Sequence, residues 1–510
     1  MTVARLTIVS AAWGLLVYIG LLALAAYRAG GFDYPLDDVY IHLSMAEQIA
    51  AGGYGINPGE YASAASSMLY PLLLLPFQAT ELNRLLPMVW NMAAVLAAGL
   101  LMARILVQTG QAAANRFALA VAVLMPLGVY TTGAAFTGME NSLHAAVTLG
   151  LASGLITFAS TGRIGVLLIL GVLIGPLLRF EALAPSLVAA GIVFLSRPWA
   201  GIALAVGAIA PLAGFAGWLQ TLGLGALPNS VMAKLAEVEP LQVSRLDKMI
   251  SVARGNLALP AGQAAAVLGL FWLALSPFLA SNMARLLALG LVAVAAAHLL
   301  VGKVRIEARY ETYMLAWMLA LSLYLCSQLP SLLRIVARGA ILVWLVTLAL
   351  TYQTVFGDRG QYATQAIHLQ QGQMARLVHD HLKVPTAVND IGYVSYQSPV
   401  YILDLLGLGN REALLTRAQG GQNWAEPLVA FHQVQAAMIY SDWLPRAAGP
   451  NWVELGTLGL TTPGGYLGGR VVTIYATDPR YVDTVTAALE TFIPTLPEGA
   501  VFTPTEEREQ

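Results

Sequence analysis

Hydrophobic positions divide the chain into two parts. Up to about residue 354, apolar runs recur at 7–27, 85–108, 116–132, 140–160, 164–178, 181–196, 199–220, 262–280, 284–301, 310–328 and 333–354. A helix of about 20 apolar residues spans the hydrocarbon core of a bilayer, so these runs predict about eleven transmembrane helices. A shorter run, 68–77, carries Pro71 and Pro76 and reads as a re-entrant or interfacial helix. Beyond residue 355 the runs stop. There, 361–382 reads as an amphipathic helix, and 386–388, 400–403, 436–440 and 470–475 read as short strands with Gly and Pro between them. The predicted fold is an α-helical polytopic membrane domain, 1–355, followed by a small α/β domain, 356–510, with a frayed end at 506–510.

Composition agrees. The chain is 57% hydrophobic and only 11% charged, where soluble domains carry about a quarter charged residues. A net charge of -1 argues against nucleic acid as partner. The single cysteine, Cys326, lies inside an apolar run and allows no internal disulfide. The first run lacks a small-residue cleavage site and reads as an anchor rather than a cleavable signal.

The charges also predict orientation. With the N-terminus cytoplasmic, the inner ends of the runs carry Arg104, Arg116, Arg163, Arg197, Arg285, Arg334 and Arg338. Every Asp and Glu before residue 355 then falls on the outer side. Acids contribute little to topology, so this segregation points to a working outer surface. An odd number of crossings places the C-terminal domain outside as well. Two outer loops are long, 30–67 and 221–260, and three short ones are polar: 131–141, 179–181 and 302–310. These segments are positioned to converge on one cavity.

The first outer loop carries the sharpest chemistry. A helix is expected to start near Asp37, since Asp is a good N-cap and acids suit a first turn. Ile41, Met45 and Ile49 form an apolar stripe suited to the membrane surface, and Asp38 shares another face with His42. Gly52-Gly53 ends that helix, 57–59 makes a turn, and Ser66 or Ser67 can cap the proline-containing helix after it. Asp37-Asp38 reads either as a cap plus a solvated acid or as a catalytic pair. In the second reading one carboxylate is a general base and the other holds it, the acceptor or a cation.

The phrases Asp37-Asp38-Val-Tyr-Ile, Asn57-Pro58-Gly59 and Ser67-Met-Leu-Tyr-Pro come after a long first apolar helix. Further along stand Gly138-Met-Glu140-Asn, Arg179-Phe-Glu181-Ala-Leu, Leu227-Pro-Asn229-Ser-Val-Met-Ala-Lys234, Asn389-Asp390-Ile-Gly392-Tyr and Leu403-Asp404-Leu-Leu-Gly407-Leu. In this order they resemble the glycosyltransferase C superfamily, and within it the cell-wall arabinofuranosyltransferases and their bacterial relatives. Where that family commonly shows Arg-Pro-Glu, this chain has Arg179-Phe180-Glu181. The resemblance implies a bacterial inner-membrane enzyme that takes a sugar from a polyprenyl-phosphate donor. It passes the sugar, with inversion, to a cell-envelope glycan, lipid or protein acceptor on the outer face. An arabinofuranosyl-type transfer is one form of this.

Other outer residues carry readings from their own chemistry. A lipid phosphate leaving group needs cations, and Lys303, Arg305 and Arg309 stand on the outer side against the topological trend. The alternative is snorkelling at a helix end. Arg179 and Glu181 are either a structural ion pair or substrate contacts. Glu140 either caps a helix or touches a sugar, and His144 is placed to hydrogen-bond it. Asn229 suits sugar hydroxyls and Lys234 a phosphate, while both also suit a solvated loop. His42 joins the substrate-binding candidates through its face shared with Asp38. Asn389-Asp390 reads as a turn or as an acceptor contact. No zinc signature occurs, and a divalent cation at Asp37 or Asp38 stays open. A transporter or flippase of a lipid-linked sugar is the alternative function. It calls for ionisable residues at mid-membrane depth and repeated halves, and the sequence displays neither.

Overall fold

The structure is a computed structural model that describes residues 2–78, 80–236, 244–305, 307 and 309–505, leaving aside the side chains of 233–236. Each predicted apolar run forms a helix. Among the described residues, eight are long and apolar enough to cross a membrane: Val3–Ala29 (α1), Glu81–Gln108, Asn115–Phe136, Asn141–Thr161, Pro198–Thr221, Pro260–Phe278, Asn282–Val301 and Ser331–Leu382. Val166–Leu178, Phe180–Phe194 and Thr312–Ser327 are apolar but shorter. The protein is a multi-pass membrane protein.

Local signals set the helix ends. Thr2 Oγ1 accepts from the Arg5 N–H at 3.3 Å to open α1, and Gly30, with φ of 70°, closes it. Close packing relies on small residues. A Cβ on Gly99 would lie 2.6 Å from the Ser10 carbonyl oxygen, so no larger residue fits there. The helix Thr312–Ser327 is buried on every face from Thr312 to Cys326 and acts as a central post. At one end of the bundle, Arg338 Nε donates to Gln111 Oε1 at 2.9 Å, and Arg334 donates to the carbonyls of Ser327 and Leu329.

The C-terminal segment holds a sheet with six strands among the described residues: Thr386–Val388 (β1), Ile402–Asp404 (β2), Ala436–Ile439 (β3), Val453–Leu460 (β4), Val471–Ala476 (β5) and Ala500–Pro504 (β6). Its order is β2-β1-β3-β5-β4-β6. The strands β2, β1 and β3 run parallel, and β5, β4 and β6 are added antiparallel. The carboxyl ends of β1, β2 and β3 therefore share one edge.

Three local expectations are corrected. The helix Asp38–Ala50 (α2) forms, but Ile41 and Met45 do not face a membrane. They are buried in a core shared with Ala366, Leu377, Val388 and Ile391 of the C-terminal segment. The apolar stripe is real, and a protein face rather than lipid covers it. Residues 68–77 form a single helical turn, Tyr70–Leu73; Pro71 is tolerated in its first turn, and Pro76 lacks the N–H that would continue it. The helix expected at 361–382 is no separate element. It continues the last apolar helix through π-type turns at Phe356–Gly360 and Leu377–Leu382, with a kink at Gln370 (φ -119°, ψ -76°). The strands β4 and β6 are additions that the sequence pattern does not announce.

One buried acid ties these parts together. Asp33 forms an ion pair with Arg84 and accepts from His368 Nδ1 at 2.7 Å, Tyr393 Oη at 2.8 Å and Tyr40 Oη at 3.0 Å. Burial pushes its carboxyl up. The His368 hydrogen bond and the Arg84 charge outweigh that, and the net shift is downward. A depressed folded pKa gives stability that is present above the unfolded value, near 4, and lost as pH falls through the folded one. Asp33→Asn is therefore expected to cost about 1–3 kcal/mol at neutral pH, seen as a lower melting temperature. The difference from wild type should close as the pH drops below about 4. A constant difference across that range would show that the charge of Asp33 contributes nothing.

Candidate active site

The segments expected to face outward meet, in their described parts, at the end of the bundle that faces the C-terminal sheet. Asp37 occupies the N-cap position of α2, yet its carboxylate makes no cap hydrogen bond. It accepts instead from the backbone N–H groups of Gly392 at 2.6 Å and Tyr393 at 2.8 Å. Tyr40, one turn into α2, stacks on Tyr393 with ring centroids 4.0 Å apart. The capping expectation for Asp37 thus gives way to a clamp on the C-terminal segment. Burial and the nearby Asp390 carboxylate raise the Asp37 pKa, and the two backbone N–H groups pull the other way. Burial likewise raises Asp390.

Asp38 points elsewhere. Its Oδ2 pairs with Arg309 NH1 at 2.6 Å, and Arg309 lies over the Tyr310 ring at 4.9 Å. A polar cleft of about 430 Å³ opens here, lined by Asp37, Asp38, Arg305, Arg309, Arg359 and Asp390, among others. A second cavity, of about 480 Å³, is mainly apolar, with Val252, Leu300, Val301 and Met249 in its wall; its charged lining residues are Arg179, Arg245, Lys248, Lys303 and Glu181. Tyr310 lines both. A narrow space of about 40 Å³, bounded by Asp38, His42, Ser66, Arg179, Arg309 and Tyr310, lies between them. The three expected phosphate cations are therefore divided. Arg305 and Arg309 belong to the polar cleft and Lys303 to the apolar cavity.

Beneath this junction lies a buried charge cluster. Glu140, with no exposed surface, accepts from Arg179 NH1 at 2.7 Å and from Ser66 Oγ at 2.9 Å, and His42 Nε2 lies 3.5 Å away. Arg179 also grips Glu181 with two nitrogens, at 2.8 and 3.2 Å. Glu140 sits at the N-cap of Asn141–Thr161 but makes no side-chain cap. The expected His144–Glu140 side-chain hydrogen bond does not form. The His144 ring stacks on Tyr313 at 4.4 Å, and the link to Glu140 is backbone only. The phenylalanine between Arg179 and Glu181 leaves their bidentate geometry intact.

Asn229 is buried; its N–H donates to Ser63 Oγ at 3.0 Å and its side-chain Nδ2 to the Leu408 carbonyl at 3.2 Å. It joins the second long loop to the C-terminal segment. Lys234 lies in the helix Asn229–Ala236, and its side chain falls outside the described residues. Among the described residues, no group of three or more His, Cys, Asp or Glu is arranged to hold a metal ion. Asp37 and Asp38 are instead engaged by backbone N–H groups and by Arg309. Sequence reasoning misses Arg359, Trp443 and Tyr466 in the cleft wall and favours a turn role over an acceptor contact for Asp390, which lines the cleft. An acid just after a buried strand is the available signal.

A family model described as a domain of unknown function, DUF8728, matches residues 361–475. No curated protein sequence matches the chain. The chain is similar in structure to ArnT from Cupriavidus metallidurans in the apo state, at 12% identity and a TM-score of 0.42, over 92% of this chain and 98% of that one.

The charge cluster makes a stability prediction. Arg179→Met leaves Glu140 and Glu181 without their cation, which for buried pairs costs about 3–5 kcal/mol. Thermal unfolding in detergent should show a marked loss, and Arg179→Met with Glu140→Gln should recover part of it. A wild-type melting temperature for the single variant would show that the pairing supports nothing.

Proposed function

We propose that the protein is a glycosyltransferase that moves a sugar from a polyprenyl-phosphate donor to an acceptor hydroxyl at the outer membrane surface. The juxtaposition of the two cavities across Asp38 and Arg309 carries this reading. The apolar cavity suits the first isoprene units of the donor, with the phosphate reaching Arg309 where the two cavities meet at Tyr310. The polar cleft suits the acceptor. The resemblance of the sequence to the glycosyltransferase C superfamily supports the same chemistry, and the arabinofuranosyl-type reaction is one member of the class.

In this reading Asp38 is the base and Asp37 is a positioning residue. Both Asp37 oxygens are taken by backbone N–H groups, whereas Asp38 faces the space between the cavities. A donor phosphate competes with Asp38 for Arg309, since the planar guanidinium suits phosphate oxygens. That competition releases the Asp38 carboxylate toward the acceptor. Asp38 takes the hydroxyl proton as the acceptor oxygen bonds to the anomeric carbon. The bond from that carbon to the phosphate oxygen breaks, and the electron pair leaves with the lipid phosphate beside Arg309 and Arg305. Attack opposite the leaving group inverts the anomeric centre.

Release of polyprenyl phosphate by the purified protein, given donor and acceptor, tests the class and separates it from a flippase, which releases none. Asp38→Asn is expected to lower turnover by roughly a hundredfold to ten-thousandfold, with a small loss of melting temperature from the Arg309 pair that cannot account for it. Asp37→Asn should lower the melting temperature as well. Arg309→Ala should raise the donor KM by about ten- to a hundredfold, with Arg309→Lys recovering part of it. Near-normal turnover in Asp38→Asn would remove it as the base.

The reading also places the C-terminal segment outside the membrane, in keeping with the arginine-rich inner loops. Lys383 and Arg163 are both accessible enough at the surface for a cysteine there to accept a membrane-impermeant label. Intact cells should label position 383 and leave 163 untouched. The reverse pattern would overturn the orientation.

A further inference from the structure

The polar cleft has a wall that the donor chemistry does not use. It is built from the carboxyl ends of the three parallel strands. Asn389 and Asp390 follow β1, Leu406 and Leu408 follow β2, and Trp443 follows β3; all line the cleft along with Asp37 and Asp38. In open α/β sheets that edge is where ligands bind, because the loops there diverge and leave a crevice. Here the crevice opens toward the outer-loop carboxylates.

The groups on this edge are held in place. The Asn389 Oδ1 accepts from the Tyr440 N–H at 2.7 Å, which fixes the amide plane, and Asn389 itself is buried. Asp390 Oδ2 accepts from Gln371 Nε2 at 3.0 Å, and Gln371 donates also to Tyr440 Oη at 2.9 Å. The Gln370 kink in the long helix sets these glutamines under the sheet edge. Trp443 is 41% exposed, packs edge-on against Tyr440 with centroids 5.1 Å apart, and rests on Gly468, where a Cβ would collide with its ring. A large aromatic held rigid and half open at the mouth of a cleft leaves apolar surface in water. That arrangement is favourable where a ligand covers the ring.

We propose that this edge is the acceptor subsite and that the acceptor is a saccharide, seated on Trp443 with its hydroxyls toward Asn389 and Asp390. Sugar rings present one face of C–H bonds, which packs on an aromatic ring, and hydroxyls that both donate and accept. An amide and a carboxylate side by side serve both roles. A lipid acceptor would need a wholly apolar floor, and a peptide would need backbone-pairing edges; this wall is mixed, setting the Trp443 ring and the aliphatic Leu406 and Leu408 beside a paired amide and carboxylate. Calling the ligand an acceptor rests on the transferase reading, and the binding claim is tested apart from it.

The test uses the full-length protein in detergent with no donor present. A panel of pentose and hexose oligosaccharides is offered, and saturation transfer from protein to sugar is read by NMR. At least one saccharide is expected to bind, with affinity reduced on the order of tenfold to a hundredfold in Trp443→Ala and partly restored in Trp443→Phe. Asp390→Asn should weaken binding as well, with a wild-type melting temperature. In turnover assays the same variants should raise the acceptor KM and leave the donor KM unchanged. Saccharide binding that depends on Trp443, without any sugar transfer, would uphold this site and overturn the transferase reading. Transfer that is indifferent to Trp443 and Asp390, or equal binding by wild type and Trp443→Ala, would overturn the site.

Discussion

Burial of Asp33 is the constraint on which the candidate site depends. A lone carboxylate there would be costly, so it gathers donors, and each donor comes from a different part of the chain. Arg84 belongs to the second long apolar helix, Tyr40 to α2, His368 to the continuation of the last apolar helix, and Tyr393 to the short helix Gly392–Ser395 after β1. Satisfying one buried charge thus fixes the entry of the first outer loop against the C-terminal segment. The Tyr40–Tyr393 stack and the Asp37 clamp use residues next to these donors and arise from the same docking. The cleft exists because these contacts hold its two walls at a set separation.

A second buried system has a different logic. Glu140, Arg179 and Glu181 pair two acids with one arginine, close to His42 and Ser66. The two carboxylates make the neighbouring space favourable for cations. That suits Arg309, Lys303 and Arg305, which line the cavities above the cluster. The position of Tyr310 links the two systems, since Arg179 and Arg309 both lie over its ring, at 5.1 and 4.9 Å.

How much of this was legible in the sequence depended on the range of the interaction. Helix positions come from continuous apolar length, a local property, and each run became a helix. The strands β1, β2, β3 and β5 were visible as apolar segments between turn residues. The glycines at 456 and 459 broke the strand signal in β4, and Pro504 weakened it in β6. What could not be read was the partner of a visible feature. The stripe of Ile41 and Met45 says that a face is covered but not by what. Asp37 looks like a cap because its true donors, Gly392 and Tyr393, stand 355 and 356 residues away. The pairing of Asp38 with Arg309 joins residues 271 apart, and no spacing rule reaches that far. Trp443, between Asp442 and Leu444, carried no motif, and Tyr466 beside glycines reads equally as turn packing.

The two adjacent acids illustrate how the fold separates roles that the sequence leaves joined. On an isolated helix start, Asp37 and Asp38 would be chemically similar. Docking of the loop after β1 consumes both oxygens of Asp37 and, through Asp390, adds negative charge beside it. Asp37 becomes part of the frame. Asp38, one residue on and pointing along another face of α2, meets a side-chain partner, Arg309. A side chain can be drawn away by a phosphate, whereas a backbone N–H cannot move without undocking the wall of the cleft. The adaptable partner therefore sits on Asp38 and the fixed one on Asp37. This difference in partner mobility, rather than a difference in the acids themselves, is the physical ground on which Asp38 is proposed as the base.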